Sequence, residues 1–180
     1  MIRRLLPVFA ISALVSAGPV LADTALKDTS AIVDITGNVT PAQFSCLVTP
    51  SESSVSILEL PDNLIKQGDN ATTPVTVHLK VDGGDKCTSL VDDGKIAFRF
   101  SGVADDADGT ALANSLTDET AAKGVAIGIF DGENKPLKVN NSLLPAKMDT
   151  TFGLQMVKLT NQQPVSGNIN SFVTIDIERL

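Results

Sequence analysis

The sequence predicts an all-β sandwich in an exported chain, and three observations carry that reading. Apolar residues recur at every second position, breakers rich in Gly, Asp and Asn separate the runs, and only two cysteines occur. Side chains alternate between the two faces of a strand, so period-two apolar rows mark strands with one face against a core.

The rows follow one another in chain order. Val75, Val77, Leu79 and Val81 alternate with Thr76, His78 and Lys80, and Ile96, Phe98 and Phe100 alternate with Ala97 and Arg99. Val125, Ile127 and Ile129 alternate with small residues, which suits a strand covered on both faces. Phe152, Leu154 and Met156 form a fourth row, and Val173, Ile175 and Ile177 a fifth. Residues 44–48 and 55–60 read as two further strands. Between the rows stand Asp82-Gly83-Gly84-Asp85, Asp106-Ala107-Asp108-Gly109, Asp131-Gly132-Glu133-Asn134 and Ser166-Gly167-Asn168, all with turn chemistry. Residues 112–122 have room for a short helical turn, and no longer stretch shows a helical period. Strands at this spacing, in one domain with a single cross-link, predict two packed antiparallel sheets.

The N-terminus sets the compartment. Met1-Ile2-Arg3-Arg4 is a short basic start, residues 5–15 are almost wholly apolar, and Val20-Leu21-Ala22 supplies small-residue cleavage chemistry. That order reads as a secretory signal peptide over residues 1–22, too short in its apolar run to anchor in a bilayer. The exported part is then expected to begin at Asp23. Cys46 and Cys87 both lie within it, and in an oxidising compartment two thiols read as one disulfide. Closing a loop of that length stabilises a fold by about 4 kcal/mol in the chain-entropy model.

Composition excludes several functions. The chain carries a formal net charge of −7, with no Tyr, no Trp and no basic cluster, so it lacks the equipment to bind nucleic acid. His78 is the only histidine and no CxxC occurs, which leaves neither a metal centre nor a cofactor site to assign. No Gly-x-Ser-x-Gly elbow is present, and His78 sits on the polar side of its row, so no catalytic residue is expected. The run Asp105-Asp106-Ala107-Asp108-Gly109 suggests a calcium loop, but Ala104 and Ser115 stand where that loop needs ligands.

Residues 31–39 stand apart. Ala31, Val33, Ile35, Gly37 and Val39 share one face, with Asp34, Thr36 and Asn38 on the other, after the polar stretch 23–30. By itself the segment reads equally as the first strand of a closed sandwich, which would make the chain a self-contained secreted binding module.

Taken together, the rows resemble the chaperone–usher pilins of Gram-negative bacteria, in particular the type 1 fimbrial subunit family. The resemblance rests on Val33-Asp34-Ile35-Thr36-Gly37-Asn38-Val39 followed by Cys46, and on the row 75–81 leading to Cys87. It continues through Ile96-Ala97-Phe98-Arg99-Phe100-Ser101-Gly102, Gly124-Val125-Ala126-Ile127-Gly128-Ile129-Phe130-Asp131, Pro136-Leu137 and the tail from Val165 to Ile177. There are two departures. Arg179 stands where the family usually has a penultimate tyrosine, and residues 82–86 make a longer approach to the second cysteine, read as a longer loop.

The resemblance implies an incomplete immunoglobulin-like sandwich, the pilin fold, completed by a donor strand from another subunit. Residues 23–39 become the donor extension, with Ala31, Val33, Ile35, Gly37 and Val39 inserted, and residues 40–180 the pilin domain. Val173, Ile175 and Ile177 would line the receiving groove, and Leu180 would anchor a periplasmic chaperone. The implied partners are other pilin subunits, that chaperone and an outer-membrane usher, with any host receptor met through the assembled adhesive fibre. A shaft subunit fits better than a tip adaptor.

Overall fold

The structure, a computed structural model, describes residues 44–180. The expected signal peptide and donor segment, including Ala31, Val33, Ile35, Gly37 and Val39, lie outside the described residues.

Two sheets form the body. The larger contains β1 (Leu47–Pro50), β2 (Ile65–Lys66), β3 (Val75–Asp82), β5 (Val125–Phe130), β6 (Pro136–Leu137) and β8 (Asp149–Lys158). Its order is β1-β3-β8-β5-β6, and β2 pairs in parallel with the far end of β8. The smaller contains β4 (Ile96–Ser101), β7 (Leu143–Pro145) and β9 (Thr174–Arg179), in the order β7-β4-β9. All other strand pairs are antiparallel. This is the two-sheet sandwich that the alternation predicts, and its strand arrangement fits the immunoglobulin-like fold that the resemblance implies.

The rows explain the core. Val77, Leu79 and Val81 of β3 are buried while Thr76, His78 and Lys80 face solvent. They meet Ile96, Phe98 and Phe100 across the sandwich, and Phe100 packs on Phe152 of β8 at 4.9 Å between ring centroids. Each such side chain contributes roughly 1.5–3 kcal/mol by leaving water. β5 is buried along its whole length because both its faces are covered. Ile127 and Ile129 join the main core, whereas Ala126 and Phe130 join a second apolar cluster with Ala71, Ala111, Val157 and Leu159. That outer cluster accounts for the small residues between the large ones.

The segment around the second cysteine is a helix, not the longer loop expected. α1 (Asp85–Asp92) buries Cys87 and Val91, four residues apart and hence on one face. Asp85 in its first turn suits the positive end of the helix dipole. Gly94, at φ +66°, ends it with its amide bonded to the Val91 carbonyl. Cys87 bonds to Cys46 with Cα atoms 5.7 Å apart, tying α1 to the start of β1. Gly83, at φ +139°, lies so close to Cys87 Sγ and the Ser45 carbonyl that no Cβ fits there. The disulfide thus demands a glycine beside it.

Residues 112–122 do not form a helical turn. Leu112 instead bridges β5 at Ile127, and Asn114 spends its amide on neighbouring loops. Its Nδ2 donates to the Ala122 and Asn168 carbonyls, while its Oδ1 accepts from the Leu116 and Asn170 amides. Residues 55–60 are not a strand either, and that difference matters for the site.

Candidate functional site: an apolar cleft between two sheet edges

Among the described residues β9 is an edge of the smaller sheet and β1 an edge of the larger, and the two strands lie near one another. Beyond β1 the ladder continues for one bond, from the Ser51 amide to the His78 carbonyl. From Glu52 to Glu59, no main-chain group meets another main-chain group among the described residues. The segment nevertheless keeps a strand's alternation. Val55, Ile57 and Glu59 are half-buried, while Ser54, Ser56, Leu58 and Leu60 are exposed. It packs on one face but has no edge-to-edge partner among the described residues, and so it is not a strand there.

Between the two edges runs a cleft of about 570 Å³. Val77, Leu112, Ile127, Phe152, Leu154 and Met156 form its floor. One wall is Pro50 with Val55 and Ile57, and the other is Ile169 with Phe172, Val173 and Ile175. An apolar trough flanked by backbone donors and acceptors without partners among the described residues suits one occupant well, an extended segment added as a strand. Side chains of every second residue then enter the trough, and the main chain pairs with its banks.

The end of β9 is tied to the first described residue. The Arg179 guanidinium lies 4.6 Å from the Phe44 ring centroid and donates to the Phe44 carbonyl at 3.2 Å. Lys86 approaches the same ring at 5.1 Å. The arginine in the usual tyrosine position therefore clasps the start of the body to the end of β9.

Val173 and Ile175 are among the residues lining the cleft. Ile177, opposite Phe98 in the ladder, packs on the main core beyond it, and Leu180 is exposed with its amide donating to the Lys95 carbonyl. Sequence reasoning missed the Leu112 and Ile169 contributions, which arise from loops without alternation. It had the Val55 and Ile57 row in view and took it for an ordinary strand.

The other polar features are built for structure. His78 is exposed and pairs with Asp149 at 2.9 Å. Asp105 is buried and gathers its loop: Oδ1 accepts from the amides of Ala107, Asp108 and Gly109, and Oδ2 from those of Thr110 and Ala111. Gln67 Nε2 adds a further bond at 2.8 Å. Burial pushes this carboxyl upward, but the Ala111 amide, the Gln67 side chain and the Ala107 and Gly109 amides outweigh it and hold it below the usual carboxylate value. The run that suggested a calcium loop spends its first carboxylate on its own backbone.

A family model described as fimbrial protein matches residues 33–178. The chain belongs to the fimbrial protein family. This family is structural and not enzymatic. Among solved structures, the crystal structure of the P pilus rod subunit PapA superposes with a TM-score of 0.51 at 14% identity. The match covers 82% of this fimbrial chain and 100% of that one. An antigen and type I fimbria protein of Burkholderia pseudomallei gives a TM-score of 0.47 at 14% identity, over 75% of this chain and 98% of its own. Identities this low speak to the fold alone. No curated protein sequence matches the chain. As a fimbrial subunit the protein assembles with other pilin subunits into a surface pilus.

Proposed function

We propose that this fimbrial subunit polymerises by strand donation, residues 31–39 of one copy filling the cleft of the next. The observation that carries the proposal is the cleft itself, apolar in its floor and flanked by two edges without partners among the described residues. Val33, Ile35 and Val39 are the large apolar donors, with Ala31 a smaller one. The three large side chains supply roughly 5–9 kcal/mol on burial, before any backbone pairing. Gly37 suits a point where the trough is shallow and the main chains must approach closely.

Residues 1–22 are the export signal in this reading, residues 23–39 the donor arm and residues 40–180 the receiving body. An open apolar trough is an aggregation hazard before assembly. A periplasmic chaperone therefore covers it, held by Val173, Ile175, Ile177 and the Leu180 carboxylate, and an outer-membrane usher exchanges that cover for the next arm. The subunit takes the repeated shaft position, in a fibre that supports adhesion.

Val33→Asp or Ile35→Asp tests the proposal, since an aspartate in the trough would bury an unpaired charge. Either variant should keep a folded body and form no fibres by electron microscopy. Full-length fibres from both would remove the arm from the assembly mechanism.

A further inference from the structure

Three distant parts of the chain converge on one ring. Phe44 packs on the main core with part of its side chain. Arg179, the final residue of β9 and the ladder partner of Ile96, sets its guanidinium 4.6 Å from the Phe44 ring centroid. Its Nη2 also donates to the Phe44 carbonyl at 3.2 Å. Lys86, in the first turn of α1, brings its ammonium to 5.1 Å from the same centroid. A cation over an aromatic face is drawn to the negative side of the ring's quadrupole. Neither cation forms an ion pair among the described residues. Lys86 also stands at the positive end of the helix dipole, where a cation is disfavoured. Its placement serves the ring and not the helix.

What Phe44 adjoins gives the contact its meaning. Val39, the last of the large apolar donors, is five residues before Phe44 and seven before Cys46. An extended chain covers at most roughly 3.3–3.6 Å per residue, so five residues reach about 17 Å and seven about 24 Å. Cys46 is held in any case by its disulfide to Cys87. With Phe44 held as well, the tether between an inserted arm and its own body is the shorter one. With Phe44 released, that body gains about 7 Å of play.

We infer that Arg179 and Lys86 are positioning residues for assembly: they hold Phe44, and so fix the point from which the subunit's own arm leaves its body. This inference rests on the strand-donation reading, and it adds that a side-chain clasp, beyond the disulfide, limits the spacing of successive bodies. Arg179 belongs to β9, the edge offered to the incoming arm. One strand then carries both the seat of the incoming arm and the hold on the outgoing one. Shorter tethers make a stiffer fibre, because each joint has less slack.

The test places a nitroxide on Ala42→Cys, two residues before Phe44, in full-length chain carrying Ile35→Asp, which strand donation keeps unassembled. Arg179→Ala removes one cation and the bond to the carbonyl, and should raise the ratio of mobile to held spectral components about tenfold. Phe44→Leu keeps an apolar side chain on the core without a ring, and should raise the ratio too. The urea midpoint of the Arg179→Ala body should stay close to wild type, since Arg179 is exposed. Mobility unchanged in both variants would overturn the clasp and leave strand donation standing. In fibres without the Ile35→Asp change, Arg179→Ala should shorten the persistence length seen by electron microscopy by about half or more. An unchanged persistence length would overturn the role in spacing. Fibres formed by Ile35→Asp itself would overturn strand donation, and this inference with it.

Discussion

Asp105 joins three separate parts of the chain through one carboxylate. It gathers the amides of its own loop, and Gln67 carries the connection to Thr110 at 2.9 Å and to the Thr160 amide at 3.2 Å. Asp105→Ala strands several buried donors at once and should cost about 3 kcal/mol, measured by urea denaturation. Because the folded carboxyl sits below its unfolded value, its contribution is present above the unfolded value near 4 and is lost as pH falls through the folded value. Asp105→Asn should therefore flatten the acid limb of the stability curve. An unchanged limb would remove Asp105 from acid unfolding. Gly102 makes a second local demand, as a Cβ there would meet Leu112 Cδ2 at 2.5 Å and the Phe172 carbonyl. Gly102→Ala should destabilise by roughly 1–3 kcal/mol, visible as a lowered thermal midpoint.

Among the elements, the strands with clear alternation were legible because their burial is one-sided and the period is fixed by geometry. The Val77, Leu79 and Val81 row shows this directly. Helix α1 was not legible. Its eight residues contain only Cys87, Leu90 and Val91 as apolar positions, and long-range packing together with the disulfide holds it. Cys46→Ser with Cys87→Ser should therefore cost about 4 kcal/mol, with α1 showing the largest gain in amide exchange. Protection of α1 equal to wild type would mean that packing alone suffices. The segment with Val55 and Ile57 carries a strand's pattern without a strand's bonds among the described residues, since a strand also needs an edge beside it. Pattern alone cannot supply that neighbour.

For the molecule as a whole, the cleft was only partly legible. Val173 and Ile175 could be named from their row, but the floor gathers Val77, Leu112, Ile127 and Phe152 from four places in the chain. Such a gathering depends on sheet order, which alternation does not encode. The consequence is a body with an apolar trough between two edges that have no partner among the described residues, a template for an added strand. If a periplasmic chaperone covers the trough as proposed, deleting residues 173–180 should abolish its capture in a pulldown, because it removes one bank of the trough together with the terminal carboxylate. Undiminished capture would exclude the tail as the anchor.

The most direct measurement places a diazirine-bearing aliphatic side chain at position 35 and assembles fibres from a mixture of isotopically light and heavy chains. After illumination, mass spectrometry identifies which copy each adduct joins. Strand donation predicts adducts on the cleft walls, around Val55 and Ile57 or Val173 and Ile175, with light arms on heavy bodies as often as random mixing gives. Adducts confined to chains of one label, or lying away from the cleft, would contradict it.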